Sequence, residues 1–273
     1  MSTISEHDIT VDGLRVHLHD WVPEGPRHNI TVVYLHGMAD SGACSAELGR
    51  ALNAHGFRAV FPDAPGHGGS ELGAEWTEWT RAAAALAVVE QYVGEPVVLG
   101  GHSMGGETAA IVTSQRPDLV RALLLEEPAM WFEDGTVDEI TDSKKRFRDW
   151  IVGLQTSTQE ERVEWVRDDG PRWDEVEYGP WAEAKAAMNL GLFDVPYSWL
   201  SSGWYDVARA ISVPTLLVRG APSDHTMSAV AAQQFCELVP QTVDVVAETG
   251  HCVRRDEPLA FTRMMLGLLT PFA

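Results

Sequence analysis

The chain has 273 residues, 45% hydrophobic and 22% charged, a balance that supports one sizeable folded domain rather than a disordered protein. A formal net charge of −20 sets nucleic-acid phosphates and anionic membranes aside as partners, because like charges repel. The polar N-terminus, Met1 to Asp8, carries no export core, and the longest apolar run, Ala82 to Val89, is too short to span a bilayer.

Three cysteines, Cys44, Cys236 and Cys252, form no spaced framework, so a reduced, cytoplasmic protein is expected. No Cys/His cluster has the spacing of a structural zinc site, and neither a metal nor a cofactor is expected.

In chain order, residues 8–22 read as two short strands around the tight-turn dipeptide Asp12-Gly13. Residues 30–35 are β-branched and almost continuously apolar, as in a strand buried on both faces. That strand runs into His36-Gly37-Met38. A helix over 43–55 closed by Gly56 follows, then a strand at 58–61 and a Gly/Pro-rich loop from Pro62 to Ser70.

An alanine-rich helix over 75–92 leads to the apolar run at 97–99. That run stops at Gly101-His102-Ser103-Met104-Gly105, and helix-forming sequence follows. Strand, sharp turn and helix around Gly-x-Ser-x-Gly is the context of a nucleophile elbow. The glycines allow a strained turn with a serine at its tip, and the helix behind it aims backbone N–H groups at a developing oxyanion.

Val120 to Leu125 predicts the next buried strand, ending in Glu126-Glu127-Pro128. Between 129 and 210 the pattern changes to charged, helix-prone sequence with tryptophans at 131, 150, 165, 173, 181, 199 and 204. This stretch reads as an inserted helical cap. Most of the tryptophans are expected to form its own core and one or two to line a pocket. Strand returns at 213–219, then a loop through Asp224-His225, a helix at 228–239, a strand at 243–247, the Gly250-His251 loop and a helix at 257–269. Strand–helix alternation of this kind predicts an α/β fold, a mostly parallel sheet with helices on both faces. The expected division is a core of residues 1–128 and 211–273 with the cap at 129–210.

From about residue 10 to 270 the sequence resembles the α/β-hydrolase superfamily. The resemblance rests on His36-Gly37 after the third strand and Gly101-His102-Ser103-Met104-Gly105 after the fifth. Asp224 after the strand at 214–219, Gly250-His251 after the last strand, and the loop from Asp63 to Ser70 complete it. It implies a serine nucleophile, Ser103, a histidine base, His251, and an acid between them in chain order. Asp224 stands where the superfamily most often places that acid, although one residue later than the usual Gly-x-x-Asp spacing. Glu126, and after it Glu127, are the alternatives, because some relatives carry the carboxylate after the preceding strand. The backbone N–H groups of Met38 and Met104 are the implied oxyanion donors. His36, His67 and His102 are expected to make structural hydrogen bonds.

A serine, not a carboxylate, at the elbow separates this chain from the dehalogenases and epoxide hydrolases of the fold. The expected activity is hydrolysis of a carboxylic ester or lactone with an apolar acyl part, by a monomer or homodimer acting on a small molecule. Alternatives are a C–C bond hydrolase of vinylogous diketones, a cofactor-free perhydrolase, or, in another class, a weakly catalytic ligand receptor.

Overall fold

The computed structural model describes residues 2–129, 137–199, 203–220 and 227–273. Eight strands form one sheet in the order β1-β2-β4-β3-β5-β6-β7-β8. β1 (Ser2–Val11) and β2 (Leu14–Pro23) form an antiparallel hairpin, and β2 also pairs antiparallel with the neighbouring β4, while β3 (Thr31–Leu35), β4 (Arg58–Pro62), β5 (Val97–His102), β6 (Val120–Glu126), β7 (Thr215–Arg219) and β8 (Thr242–Val246) are parallel to one another. This is the expected mostly parallel sheet.

The apolar run of β3 is explained by two separate cores. Side chains alternate faces along a strand, so Val33 and Leu35 enter one core while Val32 and Tyr34 enter the other. The first core is roofed by α2 (Glu78–Ala87), α3 (Met104–Gln115), α7 (Trp204–Ala210) and α8 (Ala229–Leu238). The second is roofed by α1 (Ala46–Ala54), the short α9 (Val253–Asp256) and α10 (Pro258–Leu269). Each fully buried Val, Leu or Phe contributes about 1.5–3 kcal/mol. Two filled layers therefore hold the strand ends, where the site lies, rigidly.

Two boundaries differ from expectation. β1 begins at Ser2, not at residue 8, because the whole polar stretch Ser2–His7 pairs with Leu18–Pro23 as an edge strand, where polar side chains can face water. The expected helix over 75–92 is α2 followed by a widened π-type turn over Val88–Val93, closed by Gly94 in the left-handed conformation.

Between β6 and β7 lie α4 (Val137–Thr156), α5 (Gln159–Asp169) and α6 (Glu175–Ala187), followed by α7. The first three enclose a small apolar cluster of their own around Leu154, Val166, Tyr178 and Trp181. α7, inside the stretch read as cap, instead packs into the main core through Trp204, Val207, Ala208 and Ile211, a helical i, i+3, i+4, i+7 stripe. No described helix is long and apolar enough to cross a membrane.

Candidate active site

The elbow forms where β5 runs into α3. Ser103 has φ 52° and ψ −114°, a backbone conformation that only a tightly constrained turn sustains in a residue with a side chain. The constraints are visible. Ser103 N–H donates to the Glu126 carbonyl at 2.9 Å, and the Ser103 carbonyl accepts from Ala129 N–H at 3.0 Å, so the turn is pinned to the end of β6. A Cβ at Gly101 would fall on the Gly105 carbonyl, and one at Gly105 on the Leu35 carbonyl. The two glycines of the motif are therefore demanded by close backbone approach.

Strain gathers here. Of the four non-glycine residues with positive φ among the described residues, Ala39 (62°), Ser103 and Glu127 (45°) stand at strand ends around the site, and Asp12 turns the hairpin. Met38 and Ser103 both line a cavity of about 750 Å³, to which His102 and His251 also contribute. Met104 opens α3 directly behind the serine and packs with Ala39 and Trp76.

His251 lies in the loop between β8 and α9, half-buried at 31% side-chain exposure. Two interactions fix that loop. His102 Nε2 lies 3.0 Å from the His251 carbonyl, which can only accept, so Nε2 carries the proton. Gly250 N–H donates to Asp256 Oδ2 at 2.8 Å. Burial, then the proximity of His251, pushes His102 well below the ordinary imidazole range and keeps it neutral. His36 is likewise structural: its Nε2 accepts from Ala64 N–H at 2.9 Å while Nδ1 donates to the Gly37 carbonyl at 2.7 Å. His67 donates from Nδ1 to the Pro65 carbonyl at 3.1 Å.

The three carboxylates considered for the acid take different places. Asp224, like His225, lies outside the described residues. Glu126 is fully buried and committed elsewhere: its carboxylate accepts from Tyr34 Oη and from Arg254 N–H at 2.7 Å. Glu127 is also fully buried, and its Oε2 stands 3.5 Å from His251 Nδ1. Its Oε1 accepts from Gly220 N–H at 2.7 Å, and its own N–H donates to the Val218 carbonyl at 2.9 Å. So of the two adjacent glutamates it is Glu127, not the first alternative Glu126, that faces the histidine. The reason is the left-handed φ of Glu127, which turns its side chain off the strand path toward the loops after β7 and β8.

One wall of the cavity is aromatic. Four of the tryptophans line it, more than expected: Trp150, Trp165, Trp173 and Trp181. Trp165 and Trp181 stack with centroids 5.1 Å apart and planes 9° from parallel. Trp199 packs against Trp76 and Tyr197, Trp204 belongs to the main core, and Trp131 lies outside the described residues.

The same lining carries charge, which the sequence does not announce: Lys185 Nζ lies 4.4 Å from the Trp181 ring centroid and the Arg255 guanidinium 4.6 Å from that of Trp173. Asp40 pairs with Lys185 at 2.7 Å and with Arg255 at 3.0 Å, and Arg255 pairs with Glu177 at 3.0 Å. Arg172, nearer solvent, pairs with Asp256 at 3.2 Å. The adjacent arginines Arg254-Arg255 after His251 were the one trace of this network in the sequence.

The sequence matches a known family. The model of the family described as serine aminopeptidase, S33, matches residues 26–257, most of the chain. The chain is an α/β-hydrolase of that family. It is 27% identical to lipase LipV of Mycobacterium tuberculosis over 94% of this chain and 98% of the relative. It is also 27% identical to a Bacillus subtilis protein named as a putative 2-succinyl-6-hydroxy-2,4-cyclohexadiene-1-carboxylate synthase, over 96% of this chain and 98% of that one. In fold, this α/β-hydrolase is similar to the thioesterase domain from the curacin biosynthetic pathway. That match has a TM-score of 0.77, 23% identity, and coverage of 97% and 99% of the two chains.

Proposed function

We propose that this α/β-hydrolase cleaves a carboxylic ester or lactone with an apolar acyl part, through an acyl-enzyme on Ser103. The observation that carries the reading is the strained Ser103 turn opening onto a cavity that also holds His251 and an aromatic wall.

In the first half-reaction His251 takes the Ser103 hydroxyl proton as the oxygen attacks the ester carbonyl. The carbonyl oxygen gains negative charge, met by the N–H groups of Met38 and Met104; the second opens α3 and sits at the positive end of its dipole. His251 returns the proton to the leaving alcohol, which leaves an ester on Ser103. In the second half-reaction His251 activates water, which releases the acid and restores the serine. Glu127 orients the imidazole and offsets its transient charge through Nδ1. The spacing of 3.5 Å is loose for a hydrogen bond, as catalytic contacts often are before substrate tightens them.

An uncharged substrate is favoured over a dienoate of the C–C hydrolase type by the cavity's cations. Lys185, Arg255 and Arg172 are each engaged with a carboxylate of the protein. A substrate carboxylate would compete with those partners and displace charge that is already balanced. The stacked Trp165 and Trp181 offer the flat apolar surface that an acyl chain or ring needs.

The experiment is a panel of p-nitrophenyl esters, lactones and a 2-hydroxy-6-oxo-dienoate, run with wild type and Ser103→Ala. Serine-dependent turnover of esters or lactones is expected, rising with acyl size. Turnover of the dienoate alone would replace this reading with C–C hydrolysis.

A further inference from the structure

At one edge of the sheet, the β1–β2 hairpin places two histidines and two acids on one face. His17 and His19 are two residues apart on β2 and so point the same way. In the antiparallel register Asp8 lies directly opposite His17 and Glu6 directly opposite His19. The intervening Val16 and Leu18 turn the other way, into the core.

Each imidazole lies between two carboxylates, with one ring nitrogen facing Glu6. His17 Nδ1 lies 2.8 Å from Asp8 Oδ1, an acceptor, so Nδ1 carries the proton and the lone pair is left on Nε2. That Nε2 is 4.0 Å from Glu6 Oε2. His19 Nε2 lies 3.7 Å from Asp63 Oδ1, and its Nδ1 lies 3.8 Å from Glu6 Oε1. A carboxylate thus confronts two imidazole nitrogens. Three carboxylates surround two imidazoles, an excess of negative charge that a divalent cation neutralises.

The surroundings are built around these rings. A Cβ at Gly69 would stand 2.7 Å from His17 Cγ, and one at Gly42 would stand 2.7 Å from His19 Cδ2. Asp63 is itself held by the N–H groups of Gly42 at 2.6 Å and Gly69 at 2.7 Å. The two loops that carry these glycines therefore close over the rings while His17 Nε2 and His19 Nδ1 stay turned toward Glu6.

We infer that Glu6, His17 and His19 form a zinc-binding site, with Asp8 and Asp63 orienting the two histidines from behind. Their ligand atoms already lie within 4.8 Å of one another. A tetrahedral site with bonds of about 2.0–2.2 Å needs separations near 3.4 Å, a contraction that rotation of the exposed Glu6 side chain and small turns of the two half-buried imidazoles would make. Two imidazoles and one carboxylate suit Zn²⁺ better than Mg²⁺ or Ca²⁺, and water takes the fourth position. A carboxylate hydrogen-bonded to the outer nitrogen of a ligating histidine is the usual supporting arrangement. Linear spacing gave no hint of this site, because strand pairing brings Glu6 to residues 11 and 13 positions further on.

The test is calorimetric titration of tag-free, EDTA-treated full-length protein with ZnCl₂ at pH 7.5, with Co²⁺ absorption as a second readout. One Zn²⁺ per chain is expected, together with Co²⁺ bands of tetrahedral intensity. Asp8→Asn, behind His17, should weaken Zn²⁺ binding about 10–100-fold. His17→Gln and His19→Gln should weaken it by about 100-fold or more, and His55→Gln, elsewhere on the surface, should leave it unchanged. Glu6→Gln changes only an exposed side chain, so its folding is not at issue, and it too should lose binding. Absence of 1:1 binding in the wild type, or equal affinity in Glu6→Gln and His17→Gln, would overturn the site.

Discussion

Lys185 on α6 donates from Nζ to Asp40 Oδ1 at 2.7 Å, and both side chains are buried, at 3% and 5% exposure. This bond joins the helices inserted after β6 to the loop after β3, directly beside the cavity. Arg255 at 3.0 Å and Arg254 at 3.5 Å crowd the same carboxylate. Burial alone would raise the Asp40 carboxyl, but Arg255, Lys185 and Arg254 more than reverse it and hold it well below the usual range. Asp40 is thus the hub. Asp40→Asn removes the carboxylate that pairs with Lys185 and leaves Arg254 with Glu126 and Arg255 with Glu177, and should cost about 3–5 kcal/mol in urea unfolding. Lys185→Met leaves Asp40 still held by two arginines and should cost less. A larger loss for Lys185→Met would show that the network does not centre on Asp40.

Stability should fall on mild acidification. His67 sits at about 3, because burial and then the neighbouring His36 disfavour its charged form, and burial lowers His36 and His102 too. For these groups the unfolded chain binds protons more readily than the folded one. Their contribution is therefore complete above the unfolded value near 6.5 and is lost as pH falls from there toward the folded values, at about 1.4 kcal/mol per pH unit for each group. Urea midpoints should be level from pH 8 to 7 and decline below 6.5, less steeply in His67→Gln. A midpoint that holds or rises between pH 6.5 and 5 would contradict this.

Glu126 and Glu127 should separate cleanly as variants. Glu127→Gln should lower kcat by about 10²–10⁴ with unchanged circular dichroism, as loss of the orienting acid does. Glu126→Gln disturbs the buried contacts to Tyr34 and Arg254, and should reduce stability more than turnover. If Asp224→Asn instead loses a thousandfold while Glu127→Gln stays active, the acid is Asp224.

Trp165→Ala removes one face of the Trp165–Trp181 stack from the cavity wall. It should raise KM for long or ring-containing acyl esters by about tenfold, the value of roughly 1–1.5 kcal/mol of aromatic contact, and leave acetate esters nearly unchanged. Equal losses for both substrates would mean the stack only supports the helices.

The strands, their order of appearance and the serine turn were legible in the sequence because local signals decide them. The β3 run is apolar on both faces, and Gly101 and Gly105 punctuate the elbow. What could not be read depended on pairing between distant segments. The turning of Glu127 toward His251 follows from a positive φ that no residue type announces. The pairing of Asp40 with Lys185 joins positions 145 apart, and α7 joined the main core because its apolar stripe outweighs its place in a charged segment.

The central claim is that Ser103 is the nucleophile, and active-site labelling tests it most directly. Purified protein is treated with a fluorophosphonate and its intact mass measured, with the modified peptide sequenced and Ser103→Ala in parallel. One adduct per chain is expected, on Ser103 and absent from the variant, together with a loss of ester turnover of about a thousandfold or more in that variant. Labelling at another residue, or turnover by Ser103→Ala within tenfold of wild type, would contradict it.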